Sequence, residues 1–185
     1  GTIHYSYTLP DNTSGDDTSV SFDVQVSDAD GQSSGTGHLV INIVDDAPTA
    51  HLDVDSVAAG QFTAETGNVI TGEGTAGGTA NADVQGADGA HVSAIASNNV
   101  AANAATTDGS GNLVINGQYG VLTIGADGGY SYVRNAGTPG GVNDVFTYTL
   151  RDGDGDESTT TIIIDVHNSG LVAASDQDVT VYEKA

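Results

Sequence analysis

The sequence predicts an all-β protein built from antiparallel β-sandwich repeats in tandem. Three observations carry that expectation. Apolar and polar residues alternate over short runs, as in Val20-Ser-Phe22-Asp-Val24-Gln-Val26 and Phe146-Thr-Tyr148-Thr-Leu150, the period of a half-buried strand. Turn residues punctuate those runs, and no stretch of ~11 residues shows a helical period. The chain also repeats itself, nearly in register, over ~125 residues.

Taken in order, residues 3–9 alternate as a strand, 10–17 form a turn-rich loop, and 20–27 alternate again. Asp28-Ala-Asp30-Gly31 is an acidic turn, and 39–43 is an apolar strand. Asp45-Asp46-Ala47-Pro48 follows. Pro48 cannot donate to a ladder and biases Ala47 to an extended form, so this segment reads as a stiff linker. Residues 51–55 and 61–71 are the first strands of a new unit, and the Gly/Ala/Asp/Thr-rich stretch 72–89 is a long loop. Short strands at 91–96 and 113–115 come next. Asn116-Gly117 and Asp127-Gly128 carry the signature of type I′ hairpin turns, leading into strands 119–124 and 130–133. Residues 135–141 are a loop. The strand 146–150 then feeds the acidic turn Asp152-Gly-Asp154-Gly-Asp156, and the Thr/Ile run 159–164 suits a pleated, half-buried surface.

The repeat sets the domain organisation. Tyr5 and Tyr7 match Tyr130 and Tyr132; Phe22, Val24 and Val26 match Phe146, Tyr148 and Leu150. Asp28 and Asp30 match Asp152 and Asp154, residues 39–43 match 162–166, and Asp53 and Asp55 match Asp176 and Asp178. The offset drifts only from 125 to 123. Residues 1–46 are then the C-terminal part of one repeat, 47–168 a complete repeat, and 169–185 the first strand of the next, around Val179-Thr-Val181. The chain reads as a piece of something longer. Its expected partners are neighbouring repeats of the same polypeptide. Half a sandwich and a lone strand also predict weak head-to-tail self-association through unpaired edges.

Charge narrows the function. The 25 acidic residues face only Arg134, Arg151 and Lys184, a formal net charge of −22. Nucleic acid and anionic membrane surfaces both need basic patches, so neither is an expected partner. No signal peptide, lipidation motif or apolar run of ~18 residues is present, so membrane insertion is not expected either. Hydrophobic content is 37%, under the usual ~45–50%, and cysteine is absent. A lean core without disulfides points to bound metal as the staple.

The acidic turn is the natural metal site. Three carboxylates at alternate positions repel one another, and a hard divalent cation with oxygen ligands offsets that repulsion; Ca2+ fits best. The spacing is not that of an EF-hand: counted from Asp152, positions six and twelve hold Glu157 and Ile163 rather than Gly and Glu. In a seven-strand sandwich the last strand starts at the same pole as the first. Asp152, Asp154 and Asp156 should therefore lie near the linker acids Asp45 and Asp46, with calcium between them. Asp53 and Asp55 either add ligands or stand as solvated strand-edge acids. Asp28 and Asp30 form the corresponding site of the first copy, weakened because Gln32 replaces the third acid. Against all of these stands the plain fact that Asp and Gly suit turns without any metal.

Other motifs carry less. Gly31-Gln-Ser33-Ser-Gly35 has the nucleophile-elbow pattern, which has meaning only between a strand and a helix; here it lies between two strands, so no enzyme is expected. His4, His38, His51, His91 and His167 show no zinc spacing. Tyr5 and Tyr7 share a face, as do Tyr130 and Tyr132, and packing against a sheet is the expected use.

The pieces Asp45-Asp46-Ala47-Pro48, Tyr130-Ser-Tyr132 and Asp144-Val-Phe146-Thr-Tyr148-Thr-Leu150-Arg-Asp152-Gly-Asp154-Gly-Asp156 resemble the tandem immunoglobulin-like extender repeats of large RTX-type bacterial adhesins exported by type I secretion. The resemblance spans essentially the whole chain. It implies immunoglobulin-like sandwiches stiffened by calcium, extracellular and at the bacterial cell surface, holding an adhesive tip away from the cell in biofilm formation. The alternative is a calcium-dependent carbohydrate- or peptide-binding module of the adhesin.

Overall fold

A computed structural model describes residues 4–9 and 18–168 of the chain. Among the described residues, eleven strands account for the regular structure, with one short 3-10 turn, Gly78–Asn81, in the long loop. The expected all-β antiparallel sandwich is what the chain forms.

β1 (Thr18–Val24) and β2 (Gly37–Ile43) make an antiparallel pair of their own. The remaining strands form two sheets around one core. One sheet has the order β3 (Asp53–Val57), β11 (Glu157–Val166), β10 (Val142–Asp152), β5 (Ala90–Ser97). The other runs β4 (Glu65–Asn68), β9 (Gly129–Arg134), β8 (Gly120–Ile124), β7 (Leu113–Asn116), β6 (Thr106–Thr107).

Alternation in the sequence becomes the two faces of these strands. On β10, Asp144, Phe146, Tyr148, Leu150 and Asp152 are buried while their neighbours are more exposed. Leu122, Ile124, Tyr130 and Tyr132 supply the facing layer, and the Tyr132 ring packs edge-on against Phe146 at 6.2 Å. Non-directional apolar burial of this kind is the main favourable term holding the sheets together.

Two pairings position the functional site. β3 runs parallel to β11, with Asp53 opposite Ile162 and Val57 opposite Val166. Both strands therefore start at the same pole, where the linker enters and where the β10–β11 turn lies. A bulge at Ser93 interrupts the β5–β10 ladder beside Leu150, close to that turn.

The β1–β2 and β10–β11 hairpins pair at corresponding positions. Phe22 faces Leu39 across β1–β2 as Phe146 faces Ile162 across β10–β11, and Val20 faces Ile41 as Asp144 faces Ile164.

Several local expectations are corrected. Residues 4–9 form no strand and are exposed, although Tyr7 packs edge-on against Phe22 at 6.0 Å. The stretch 61–71 pairs only over Glu65–Asn68. Beyond it the Asn68 side chain accepts the Thr71 N–H and turns the chain. Neither hairpin is type I′, which needs positive φ at both central residues. No described non-glycine residue has positive φ, and Gly117 is absent from the glycines that do. Gly117 is needed instead for space, since a Cβ there would press on the Asp144 carboxylate. At the second hairpin, Gly128 alone is left-handed (φ 81) and its N–H bonds to Gly125 O, a tight turn closed by a left-handed glycine. The third-repeat strand around Val179–Val181 lies outside the described residues.

Candidate metal centre

The β10–β11 turn builds itself before any ion is considered. Asp152 Oδ1 accepts the N–H groups of Gly155 (2.9 Å) and Asp156 (2.7 Å), and the Asp152 N–H bonds to Asp156 O. A closely related five-residue pattern, with the second rather than the third residue after the aspartate as the other donor, occurs twice more. Asp28 Oδ1 accepts from Asp30 and Gln32, with Asp28 N–H on Gln32 O. Asp108 Oδ1 accepts from Ser110 and Asn112, with Asp108 N–H on Asn112 O. An aspartate opening such a loop satisfies backbone donors on its own account. At Asp108 these bonds, led by the Asn112 side chain, hold the carboxyl below the usual range.

What sets the Asp152 turn apart is what converges on it. Carboxylate oxygens of Asp45, Asp154 and Asp156 lie within 4.8 Å of one another, as do those of Asp88, Asp152 and Asp154. Asp154 belongs to both groups. The five acids come from three segments: the linker, the loop before β5, and the turn. Asp152 is only 3% exposed, and its Oδ2 is shielded from solvent with no hydrogen-bond partner. Asp88 Oδ1 is likewise shielded and unpartnered. Burial first, then the charges of Asp154 and Asp156, pushes the Asp45 carboxyl above the ordinary range. Arg151 at the turn's edge pairs loosely with Glu157, at 3.9 Å on the exposed surface.

Gly153 permits the convergence. A Cβ at that position would lie 2.6 Å from Asp88 Oδ2. Only a residue without a side chain lets the Asp88 carboxylate settle against the turn.

This donor set fits a metal ion. It is all carboxylate oxygen, with buried lone pairs left over, which suits a hard cation. Two oxygens on opposite sides of a calcium-sized ion sit roughly 4.6–5.2 Å apart, so a 4.8 Å spread can close around one.

The other expected ligands join neither acidic group, although Asp46 lines the same pocket as Asp45 and Asp88. Asp46 Oδ2 accepts the Ala87 N–H at 2.8 Å, tying the linker to the loop before β5. Asp28 and Asp30 are exposed. Asp53 and Asp55 are not solvated strand-edge acids. They are buried: Asp53 Oδ2 lies 2.9 Å from the Tyr148 hydroxyl, and Asp55 Oδ2 accepts from Tyr130 (2.6 Å). The correction follows from the parallel β3–β11 pairing, which turns the 53/55 face inward. Asp88 is the ligand-type residue that sequence reading passed over, because it sits in a stretch legible only as a loop.

The Ser33 hydroxyl lies 3.0 Å from that of Ser27, and His38 pairs with Asp23. Tyr130 and Tyr132 are buried as expected for packing, whereas Tyr5 is 67% exposed.

No family model matches the chain, and no curated protein matches it in sequence.

Proposed function

We propose that the chain is a calcium-stiffened extender segment of a secreted cell-surface adhesin. It acts by reach and stiffness rather than by chemistry, between neighbouring repeats outside the bacterial cell, in adhesion and biofilm formation. The observation that carries this reading is the meeting of a linker acid, Asp45, with Asp154 and Asp156 of the turn. An ion held there ties the segment preceding Pro48 to the sandwich that follows it. Asp88 and Asp152 hold the second half of the site and draw in the loop before β5. The net charge of −22 makes cation binding favourable over the whole surface. The resemblance to type I-secreted extender repeats points the same way.

A calcium-dependent carbohydrate- or peptide-binding module is the alternative. The exposed Tyr5, beside a groove with Val24, Val26 and Leu39, favours it. That groove includes none of the five clustered acids. Small-angle scattering with calcium and with chelator separates the two: a spacer lengthens with calcium, and a ligand-binding loop leaves the maximum dimension unchanged.

A further inference from the structure

Inside the sandwich, one hydroxyl is asked to serve three acceptors. Tyr148 Oη lies 2.9 Å from Asp53 Oδ2, 2.9 Å from Asp83 Oδ2 and 3.1 Å from His51 O. All three side chains are buried. A phenol has a single proton, so it can donate to one carboxylate at a time. If both acids were ionised, the second would face the phenol oxygen with lone pair against lone pair, in a place that water does not reach. Burial without a partner is costly for a charge and far less so for a protonated acid.

The two acids are not equivalent. Asp83 Oδ1 accepts the His51 N–H at 2.6 Å, which supports a negative charge. Asp53 Oδ1 is shielded and has no partner. The proton therefore belongs on Asp53. From it a chain of hydrogen bonds runs in one direction: Asp53 donates to Tyr148, and Tyr148 donates to the Asp83 carboxylate.

We propose that Asp53, Tyr148 and Asp83 form a proton-held latch that fastens the segment before β5 to β3 and β10, and that loses its fastening proton to solvent as pH rises. The fastened segment matters because Asp83 and Asp88 lie on the same stretch of chain. That stretch is also pinned by the Asp83 N–H on Ile70 O, by the two-way Thr49–Val84 bridge and by Asp46 on Ala87. This inference does not depend on the calcium reading, since none of its three groups belongs to the acidic clusters.

The electrostatic surroundings favour the protonated form. Asp53 faces Tyr148 from β10 and Asp83 from the loop, and it lies within electrostatic range of Tyr130 on β9. Tyr130 is itself bound to Asp55 of β3 and feels Glu65 of β4. Burial raises the Asp83 carboxyl as well, opposed by the His51 backbone N–H, the Tyr148 hydroxyl and the charge of a protonated His51. No lysine or arginine stands in this set. Burial, opposed by the Tyr148 hydrogen bond and joined by the Asp83 charge, pushes Asp53 up to about 7. A carboxyl raised on folding contributes stability that is fully present below its unfolded pKa of about 3.9 and is lost as pH rises through about 7.

Asp53→Asn tests the latch, because the amide donates to Tyr148 at every pH. Melting is followed from about pH 5 to about pH 8.5 in chelator, so that bound cation plays no part. The wild type should lose more of its melting temperature over that range than the variant, by about 3 °C or more. Hydrogen exchange at the Val84 amide, corrected for its intrinsic pH dependence, should lose protection at high pH in the wild type and keep it in the variant. Parallel melting curves with equal Val84 protection would overturn the proposal. Should the variant not fold, carbon NMR titration of the Asp53 carboxyl in the unaltered protein decides. A midpoint well above the ordinary carboxylate range supports the latch, and an ordinary midpoint removes it.

Discussion

The Tyr132 hydroxyl donates a 2.7 Å hydrogen bond to Asp144 Oδ2, and the same carboxylate accepts the backbone N–H groups of Gln118 and Tyr119. One buried acid thus joins β9 and the β7–β8 turn to β10 in the opposite sheet. Asp144→Ala leaves three donors without an acceptor and should cost about 3 kcal/mol or more of folding stability. Tyr132→Phe removes one donor while Asp144 keeps two, so it should cost about 1–2 kcal/mol. Urea denaturation in chelator measures both. An Asp144→Ala loss no larger than that of Tyr132→Phe would contradict this account.

Calcium should stabilise the fold, because the site is assembled only in the folded chain. At a free concentration 100 times the dissociation constant the gain is about 2.7 kcal/mol, or a rise in melting temperature of about 5–10 °C for a chain of this size. Calorimetry in low salt, with calcium and then with excess chelator, is the check. Coincident midpoints would argue that the acids are merely solvated.

The clusters rank the ligands. Asp154→Asn touches both groups and should weaken calcium binding most, by at least about tenfold. Asp88→Asn should impair one group and leave the other. Gly153→Ala keeps every charge but sets a methyl where Asp88 Oδ2 now lies, so it should mimic Asp88→Asn. Asp46→Asn should have little effect on binding, its carboxylate being engaged by Ala87. Isothermal titration on the four variants gives the order, and an Asp46 effect as large as that of Asp154 would mean the ligands are misassigned.

The junction prediction is mechanical. Asn at both 152 and 154 removes two charges at nearly constant volume. Scattering should then give the double variant, even in calcium, the shorter maximum dimension of the chelated wild type. Segments joined by a small polar contact are mobile by default, which is why the ion matters. Core stability should change little, since Leu150, Ile162 and the aromatic layer are untouched.

The strands of the main sheet were legible because β10 alternates from Phe146 to Leu150 and β11 carries a Thr/Ile run, patterns that local rules read well. The turns were less so. Gly117 looked like a backbone requirement and is a steric one, imposed by Asp144, which lies 27 residues further along. The acidic turn was visible, but its sequence pattern reports only the loop geometry that Asp28 and Asp108 share. The feature that distinguishes it, Asp88 arriving from a loop, depends on long-range topology. Asp53 and Asp55 read equally as metal ligands or as solvated edge acids, because nothing near them in sequence announces Tyr148 or Tyr130 as their partners.

The parallel alignment of β3 with β11 has a bearing on load. The chain enters the sandwich at the start of β3 and leaves it at the end of β11, at opposite poles. Tension between those two points pulls the neighbouring strands past each other along their length. The rungs from Asp53–Ile162 to Val57–Val166 are then strained together rather than opened one by one. A pulled chain of this design holds until the whole clamp slides, and the turn that carries Asp152 sits at the end where that sliding would begin.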